Sequence, residues 1–551
     1  MAAAAAERID DGPTLETLLR QFVDLADQTD RSGLSEDAAS QVQAWRAAPY
    51  MRYVALLAER GEIEAAFDLS ERFKGRVLLA SLGEITSDSS PALPEKVRAE
   101  LTELRRQVRA TEAEVASATA DSARIEAGAR REAAAQSYLA RRASARHEYP
   151  RFAAMAEAPV LKSGDVARVL AADTCFLSFV IGEKRAGVFV VGRSMQMQYL
   201  TLPPPKELDA AVEKLRSAWS GQADRSVDAD VGAALSKVLA PAIAACPRHT
   251  RKLVISPDGA LALLPFELIE AGGGTIGERY AVSYVQSFSI YGLLRQRPPA
   301  ARNQRPLLAV GAPTFAETGG TAMASLGPGE ALRTATLRSA VAQIGHDDSA
   351  TKRAFDALAV TWSPLPGAAR EAQSVSRLFA PHLLLLGDDA SEERLADLNR
   401  RGELAKYRFL LFSTHGYLSL THPMLSAIVL RQPGSSGYDG YLTAAELPLY
   451  ELDSELIVLS ACETGVGQVR SGSGVMGLPL SLMIAGNRNA VVTLWRVPDA
   501  SAAEFVARLF GHLKANVPPA EALARTKREM ATDRRFSAPV HWAGFVLYGA
   551  Q

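Results

Sequence analysis

The chain has 551 residues, and its 61 Lys and Arg against 62 Asp and Glu leave a formal net charge of −1, which gives no general attraction to nucleic acid or to an anionic membrane. A content of 48% hydrophobic and 22% charged residues is that of a globular protein, here long enough for two or three domains. The three cysteines, Cys175, Cys246 and Cys462, are too few for a disulfide framework and suit a reducing compartment.

Met1 and a short alanine run lead into Glu7–Arg8–Ile9–Asp10–Asp11, which is too short and too acidic for a secretory signal. No stretch approaches the ~20 apolar residues that span a bilayer. A soluble, cytoplasmic protein is expected, with neither nucleic acid nor membrane as partner. From residue 13 to about 150 the chain reads as helix. Tyr53, Val54, Leu56 and Leu57, a turn at Gly61, then Ile63, Ala66, Phe67, Leu69, Phe73, Val77 and Leu78 give an amphipathic helical hairpin. Paired helices of this kind are the unit of tetratricopeptide (TPR) arrays, but one clear unit and a degenerate second make a TPR-like domain over 1–90 rather than an array. After Pro91–Ala92–Leu93–Pro94, the residues Val97, Leu101, Leu104, Val108, Thr111, Val115 and Ala118 alternate by four and three, a heptad stripe. This coiled-coil hairpin, 91–160, packs on its own return helix through Ile125, Tyr138 and Leu139, or offers a surface to a partner or a second copy.

Near Ala172 the character changes. Cys175–Phe176–Leu177–Ser178–Phe179–Val180–Ile181 and Gly187–Val188–Phe189–Val190–Val191 flank a Gly182 turn as a β-hairpin, and Lys252–Leu253–Val254–Ile255–Ser256 is a further strand. Cys175 and Cys246 read as buried core residues. Leu307–Leu308–Ala309–Val310–Gly311 opens a second α/β unit. Further strands are predicted at Leu383–Leu386, Tyr407–Phe412, Ile428–Leu430, Leu456–Leu459 and Val491–Leu494, in a mostly parallel sheet with helices on both faces. The stretch from Thr314 to Thr361, rich in small residues, reads as a mobile loop, either plainly disordered or self-cleaved at Arg333 or Arg338.

Two strand ends carry chemistry. Phe409–Leu410–Leu411–Phe412 runs into Ser413–Thr414–His415–Gly416, and Leu456–Ile457–Val458–Leu459 into Ser460–Ala461–Cys462–Glu463–Thr464–Gly465. In parallel sheets, function gathers at the carboxyl ends of strands, and neighbouring strands lie about 5 Å apart. Imidazole beside thiol is the minimum for a cysteine nucleophile activated by a base. His422, before Pro423 in a loop, is the competing base, and a merely structural Cys462 is the competing reading. Gly472–Ser473–Gly474–Val475–Met476–Gly477 matches a dinucleotide fingerprint but starts about ten residues past its strand and lacks the acidic ribose ligand, so it reads as a flexible loop at the site's rim. No G-x-S-x-G frame and no Cys/His cluster is present, so neither a serine hydrolase, a metal site nor a cofactor is expected.

Strand–Thr–His–Gly followed by strand–Ser–Ala–Cys–Glu–Thr–Gly resembles the caspase–haemoglobinase clan of cysteine peptidases, and more narrowly its CHAT family, in which a caspase-like domain follows TPR helices. The resemblance extends to Leu253–Val254–Ile255–Ser256–Pro257–Asp258–Gly259 with Leu264–Pro265–Phe266–Glu267, to Leu365–Pro366–Gly367–Ala368–Ala369–Arg370–Glu371–Ala372, to Thr493–Leu494–Trp495–Arg496–Val497–Pro498–Asp499, and to His541–Trp542–Ala543–Gly544–Phe545–Val546–Leu547. It covers roughly residues 165–551. It implies an N-terminal all-α region followed by an α/β caspase-like fold, with a pseudo-caspase subdomain over 161–305 that lacks catalytic residues and a catalytic subdomain over 306–551. It implies a cysteine endopeptidase with His415 as base, Cys462 as nucleophile and the amides of Gly416 and Cys462 as oxyanion hole. Its partners would be an activator recruited by the N-terminal helices and a protein substrate, gasdermin-like in relatives that serve bacterial immunity or programmed death. Asp499, as in the separase branch, and Glu463, as in legumain-type relatives, are the S1 candidates for a basic P1 residue; Asp499 reads equally as the cap of a helix starting at Ala500. A catalytically silent scaffold acting by protein–protein binding is the alternative.

Overall fold

A computed structural model describes residues 12–28, 36–86, 93–117, 121–149, 160–220, 228–297, 305–315, 362–417, 425–432, 438–461, 469–470, 474–475 and 477–550. Helices α1 (Gly12–Gln28), α2 (Glu36–Glu59) and α3 (Ile63–Thr86) come first, and Gly61 makes the α2–α3 turn at φ +81°, where a side chain would be strained. Leu19, Val23, Tyr50, Val54, Phe67 and Phe73 bury the inner faces of these helices. The long hairpin α4 (Glu95–Ser117) and α5 (Asp121–Glu148) has a small core of its own, built by Leu93, Val97, Leu101, Tyr138 and Ala145. Val97, Leu101 and Leu104 of the heptad stripe therefore face the return helix; the side chains of Val108, Val115, Ile125 and Leu139 lie outside those described.

The remaining strands are β1 (Thr174–Ile181), β2 (Ala186–Gly192), β3 (Gln198–Leu202), β4 (Lys252–Ser256), β5 (Ala281–Tyr284), β6 (Arg305–Pro313), β7 (His382–Gly387), β8 (Tyr407–Ser413), β9 (Gly416–Tyr417), β10 (Ala427–Val429), β11 (Tyr441–Thr443), β12 (Leu456–Ser460), β13 (Val469–Arg470), β14 (Gly474–Val475), β15 (Asn489–Thr493) and β16 (Phe545–Gly549). Both α/β units share one eleven-stranded sheet, in the order β3-β2-β1-β4-β5-β16-β15-β12-β8-β6-β7. From β7 through β15 the pairing is parallel, and β16 closes that half antiparallel to β15. The halves meet where β16 touches β5 at one register pair, Tyr548 opposite Tyr284. Helices α6 (Pro205–Trp219), α7 (Asp228–Ala244), α8 (Phe288–Gln296), α9 (Pro366–Ser376), α10 (Glu392–Arg400), α11 (Leu478–Ile484), α12 (Asp499–Lys514) and α13 (Pro519–Thr532) pack around it. The inner strands are apolar along their whole length because both faces are covered: Phe409 to Phe412 and Leu456 to Leu459 are all buried.

Two expectations are corrected. Ile428–Leu430 does not join the parallel sheet: β10 lies in a separate antiparallel sheet, β11-β10-β9, on the small core of Phe315, Leu425, Ala427, Val429 and Tyr441. Cys175 and Cys246 are buried as expected, but they are bonded to each other and are not the reduced thiols that the cysteine count suggested, because the chain after α7 returns to the start of β1 and brings their Cα atoms to 5.8 Å. Thr314 and Phe315 are described; the rest of the Thr314–Thr361 loop, with Arg333 and Arg338, lies outside the described residues. Among the described residues no helix is long and apolar enough to cross a membrane.

Candidate active site

The site follows from the register of β8 and β12. These strands are parallel neighbours, with Phe412 opposite Leu459 and Ser413 opposite Ser460. His415 and Cys462 each come two residues after that last pair. Cys462 itself lies outside the described residues, as do Glu463 and the competing base His422. The residue before Cys462 is well fixed: Ala461 is buried, and its carbonyl accepts a hydrogen bond from Thr493 Oγ1 at the end of β15, 2.6 Å away.

The backbone around His415 is held by the small sheet. Thr414 Oγ1 donates to Val429 O at 2.6 Å, Val429 N donates to His415 O at 2.9 Å, and Gly416 stands opposite Ile428. The imidazole is half-buried between two aromatic rings, Trp362 at 5.1 Å and Phe315 at 5.3 Å between centroids. Trp362 is fixed in turn by its Nε1, which donates to Tyr441 OH at 3.1 Å.

His415 Nε2 lies 2.8 Å from Ser363 O. A carbonyl oxygen only accepts, so Nε2 carries the proton and the neutral ring keeps its basic lone pair on Nδ1. Burial lowers the imidazole's proton affinity below its ordinary value; the Ser363 carbonyl opposes this, while Arg496 adds to it and Asp499 counters it. The ring is thus poised as a neutral base with one defined basic nitrogen. Ser363 was not visible as a site residue in the sequence, because a main-chain carbonyl leaves no side-chain signature.

Glu371, in the Leu365–Ala372 segment, is a further residue of the site that no catalytic motif marks. It is buried, and its carboxyl spans the two strand ends: Ser413 Oγ donates to Oε1, and Ser460 Oγ donates to Oε2 at 3.1 Å. Burial is the main reason its proton affinity is raised, to about 7, with Asp499 adding to the rise and the two serines opposing it. Gly311 in β6 allows this reach: a Cβ there would stand 2.7 Å from Ala372 Cβ, so only glycine lets α9 lie so close. A signal existed in the spacing. Glu371 shares a helix face with Ala368, Ala372 and Val375, at i+3, i+4 and i+7, where a buried face has no other charge.

Asp499 is exposed and is the first residue of α12, with Pro498 before it in the cap position and no side-chain cap bond there. The helix therefore starts one residue earlier than the capping alternative supposed. The Asp499 side chain lies near the start of α9, since a Cβ on Gly367 would meet Asp499 Cβ at 3.4 Å. Trp495 is buried, donates from Nε1 to Val540 O at 3.2 Å, and lies flat enough on Gly544 that a Cβ there would come within 2.8 Å of its ring.

A family model described as the CHAT domain matches residues 229–550. Tetratricopeptide repeat protein 28 of Homo sapiens is 25% identical over 341 residues, which are 55% of this chain and 12% of that protein. Its Mus musculus counterpart is 28% identical over 215 residues, 34% of this chain and 9% of its own length. The chain thus spans only about a tenth of the length of these curated relatives. Among solved structures, the Saccharomyces cerevisiae separase–securin complex at 3.0 Å aligns with 98% of this chain and 37% of its own at 8% identity and a TM-score of 0.49. The Arg specific cysteine proteinase gingipain R aligns with 62% of this chain and 74% of its own at 8% identity and a TM-score of 0.34.

Proposed function

The chain belongs to the CHAT domain family, and from that premise we propose that it is a caspase-like cysteine endopeptidase working through a His415–Cys462 dyad. The observation that carries the reading is the in-register pairing of Ser413 with Ser460, since His415 and Cys462 each follow in the sequence two residues after their member of that pair. In this reading the Cys462 thiolate attacks the scissile carbonyl, and His415 Nδ1 takes the thiol proton and returns it to the leaving amine. The Gly416 and Cys462 amides receive the oxyanion, a contribution of about 3 kcal/mol to the barrier for each donor. Water then enters by the same base and frees the acid product. The 161–305 half carries no dyad, and the 306–551 half would be the catalytic one.

Asp499 supplies the S1 carboxylate in this proposal, its exposure at the start of α12 and its electrostatic reach to His415 supporting a basic P1 residue. The test is a fluorogenic peptide panel read for wild type, Cys462→Ala and His415→Ala. Activity on Arg or Lys peptides, abolished in both variants and scarcely lower in the double, is expected. Full activity in Cys462→Ala removes the dyad. Inactivity of the wild type across the panel, with the helical region still retaining a protein partner, favours the scaffold instead.

A further inference from the structure

Glu371 is a buried charge that the dyad chemistry does not consume. Its two carboxylate oxygens each accept a serine hydroxyl, Ser413 from β8 and Ser460 from β12, and these serines are register partners. We propose that Glu371 is a positioning residue: its carboxylate clamps the ends of β8 and β12 together and so sets the spacing of His415 and Cys462, each two residues beyond its serine. The inference rests on the dyad proposed above.

With both hydroxyls donating, the geometry is that of an ionised carboxylate. A proton on either oxygen turns an acceptor into a donor, so the serine facing it must turn and accept instead, and both bonds lose the charge that strengthens them. The carboxyl exchanges between these states near neutral pH, since burial lifts its proton affinity to about 7. Among the described residues the charged group that acts on it is Asp499 on α12, which also acts on His415 together with Arg496. Arg305 and His382 stand at the opposite, amino ends of β6 and β7. The first half of the sheet has the same device. Ser178 of β1 is the register partner of Ser256 of β4, and both hydroxyls accept from one buried charged group, Lys74 Nζ, at 2.9 Å each. In both halves a buried ionisable group thus bridges two parallel neighbours across in-register serines, at the last pair of the ladder.

The experiment compares wild type, Glu371→Gln and the double variant Ser413→Ala/Ser460→Ala in two pH profiles. One is the rate of Cys462 alkylation by iodoacetamide, read by mass spectrometry; the other is kcat and KM on the best peptide. Wild type is expected to show a step near pH 7 in both, rising with pH. Glu371→Gln, whose amide stands for the protonated clamp, loses the step, and its kcat above pH 8 falls roughly tenfold to a hundredfold with KM little changed. The serine variant keeps the carboxyl but lacks both hydroxyls that it holds, so it should lose the step as Glu371→Gln does. It also carries the test if Glu371→Gln does not fold. A Glu371→Gln profile that superimposes on wild type overturns the clamp. A Glu371-dependent alkylation step in a protein that cuts no peptide leaves the clamp standing and overturns the peptidase.

Discussion

At the scale of single residues, the candidate site concentrates groups whose protonation is set by burial. Glu371 makes this measurable as stability. The folded carboxyl keeps its proton to about pH 7, whereas an unfolded glutamate releases it near 4.5. Between those values the folded chain binds more protons than the unfolded one, so this residue's contribution falls as pH rises from about 4.5 to about 7 and is level above. The span corresponds to about 3 kcal/mol. Glutamine cannot ionise, so the stability of Glu371→Gln relative to wild type should improve by that order between pH 5 and pH 8, read by chemical denaturation at both. A constant difference would mean that Glu371 ionises freely. Stability gained together with turnover lost is the pattern of a residue kept for function. Asp499 gives a second prediction at this scale. A charge-assisted bond to a P1 guanidinium is worth ~1.5–3 kcal/mol, roughly tenfold to a hundredfold in kcat/KM. Asp499→Ala should lose that much on arginine peptides and little on apolar ones; equal losses would return Asp499 to a helix-start role.

At the scale of elements, α9 is what the site depends on. Pro366 opens it, Ala368 and Ala372 face Gly311, and that close approach delivers Glu371 to the strand ends and sets Ser363 just before the helix. Gly311→Ala would put a methyl 2.7 Å from Ala372 Cβ and push the helix off the sheet. Overpacking of this kind costs about 1–3 kcal/mol, and the displaced carboxyl should depress turnover more than the lost stability accounts for. Unchanged kcat in a destabilised Gly311→Ala would separate the helix from the chemistry. The elements were unevenly legible. The strands β6, β8, β12 and β15 could be read because burial on both faces writes them as unbroken apolar runs, and their ends as abrupt polar breaks. Ile428–Leu430 is also an apolar run, but three residues carry no mark of which sheet they join, and they went to the small antiparallel one. Residues β5 and β16 use, Ala281–Tyr284 and Phe545–Gly549, pair across the two halves, a contact that no local pattern encodes. His415 was readable by its place at a break. Ser363 was not, because only its carbonyl is involved; Glu371 stands out as the one charge on the apolar face of α9, but the serines it meets follow only from how α9 docks.

At the scale of the whole molecule, the helical region is built into the sheet. Helix α3 sends two charges into the carboxyl end of the first half. Lys74 Nζ donates to Ser178 and Ser256, while Glu71 accepts the amides of Phe288 at 2.9 Å and Ser289 at 3.4 Å, where α8 begins. Ser178 Oγ also donates to Glu71 at 3.4 Å, and Ser256 Oγ to Gln286 O at 2.9 Å, so the network closes on itself. Burial raises the proton affinity of Glu71 and lowers that of Lys74, and each opposes the other's shift. A comparable latch lies at the seam, where Lys527 of α13 and Tyr284 of β5 both donate to Glu267. Removing one partner of a buried pair strands the other charge, at ~3–5 kcal/mol, whereas replacing both with neutral groups of similar shape is far milder. Lys74→Met should therefore lower the unfolding midpoint sharply and raise hydrogen exchange along α2 and α3. Glu71→Gln/Lys74→Met should recover much of both, leaving a clearly non-additive cycle. A partner bound by the N-terminal helices would act on the sheet through this contact, so the double variant, stable but without the charges, should keep basal turnover while losing any response to that partner. Additive destabilisation, or hydrogen exchange in α2 and α3 that ignores Lys74, would show that the helices are held by apolar packing alone and that the charged network does not couple them to the sheet.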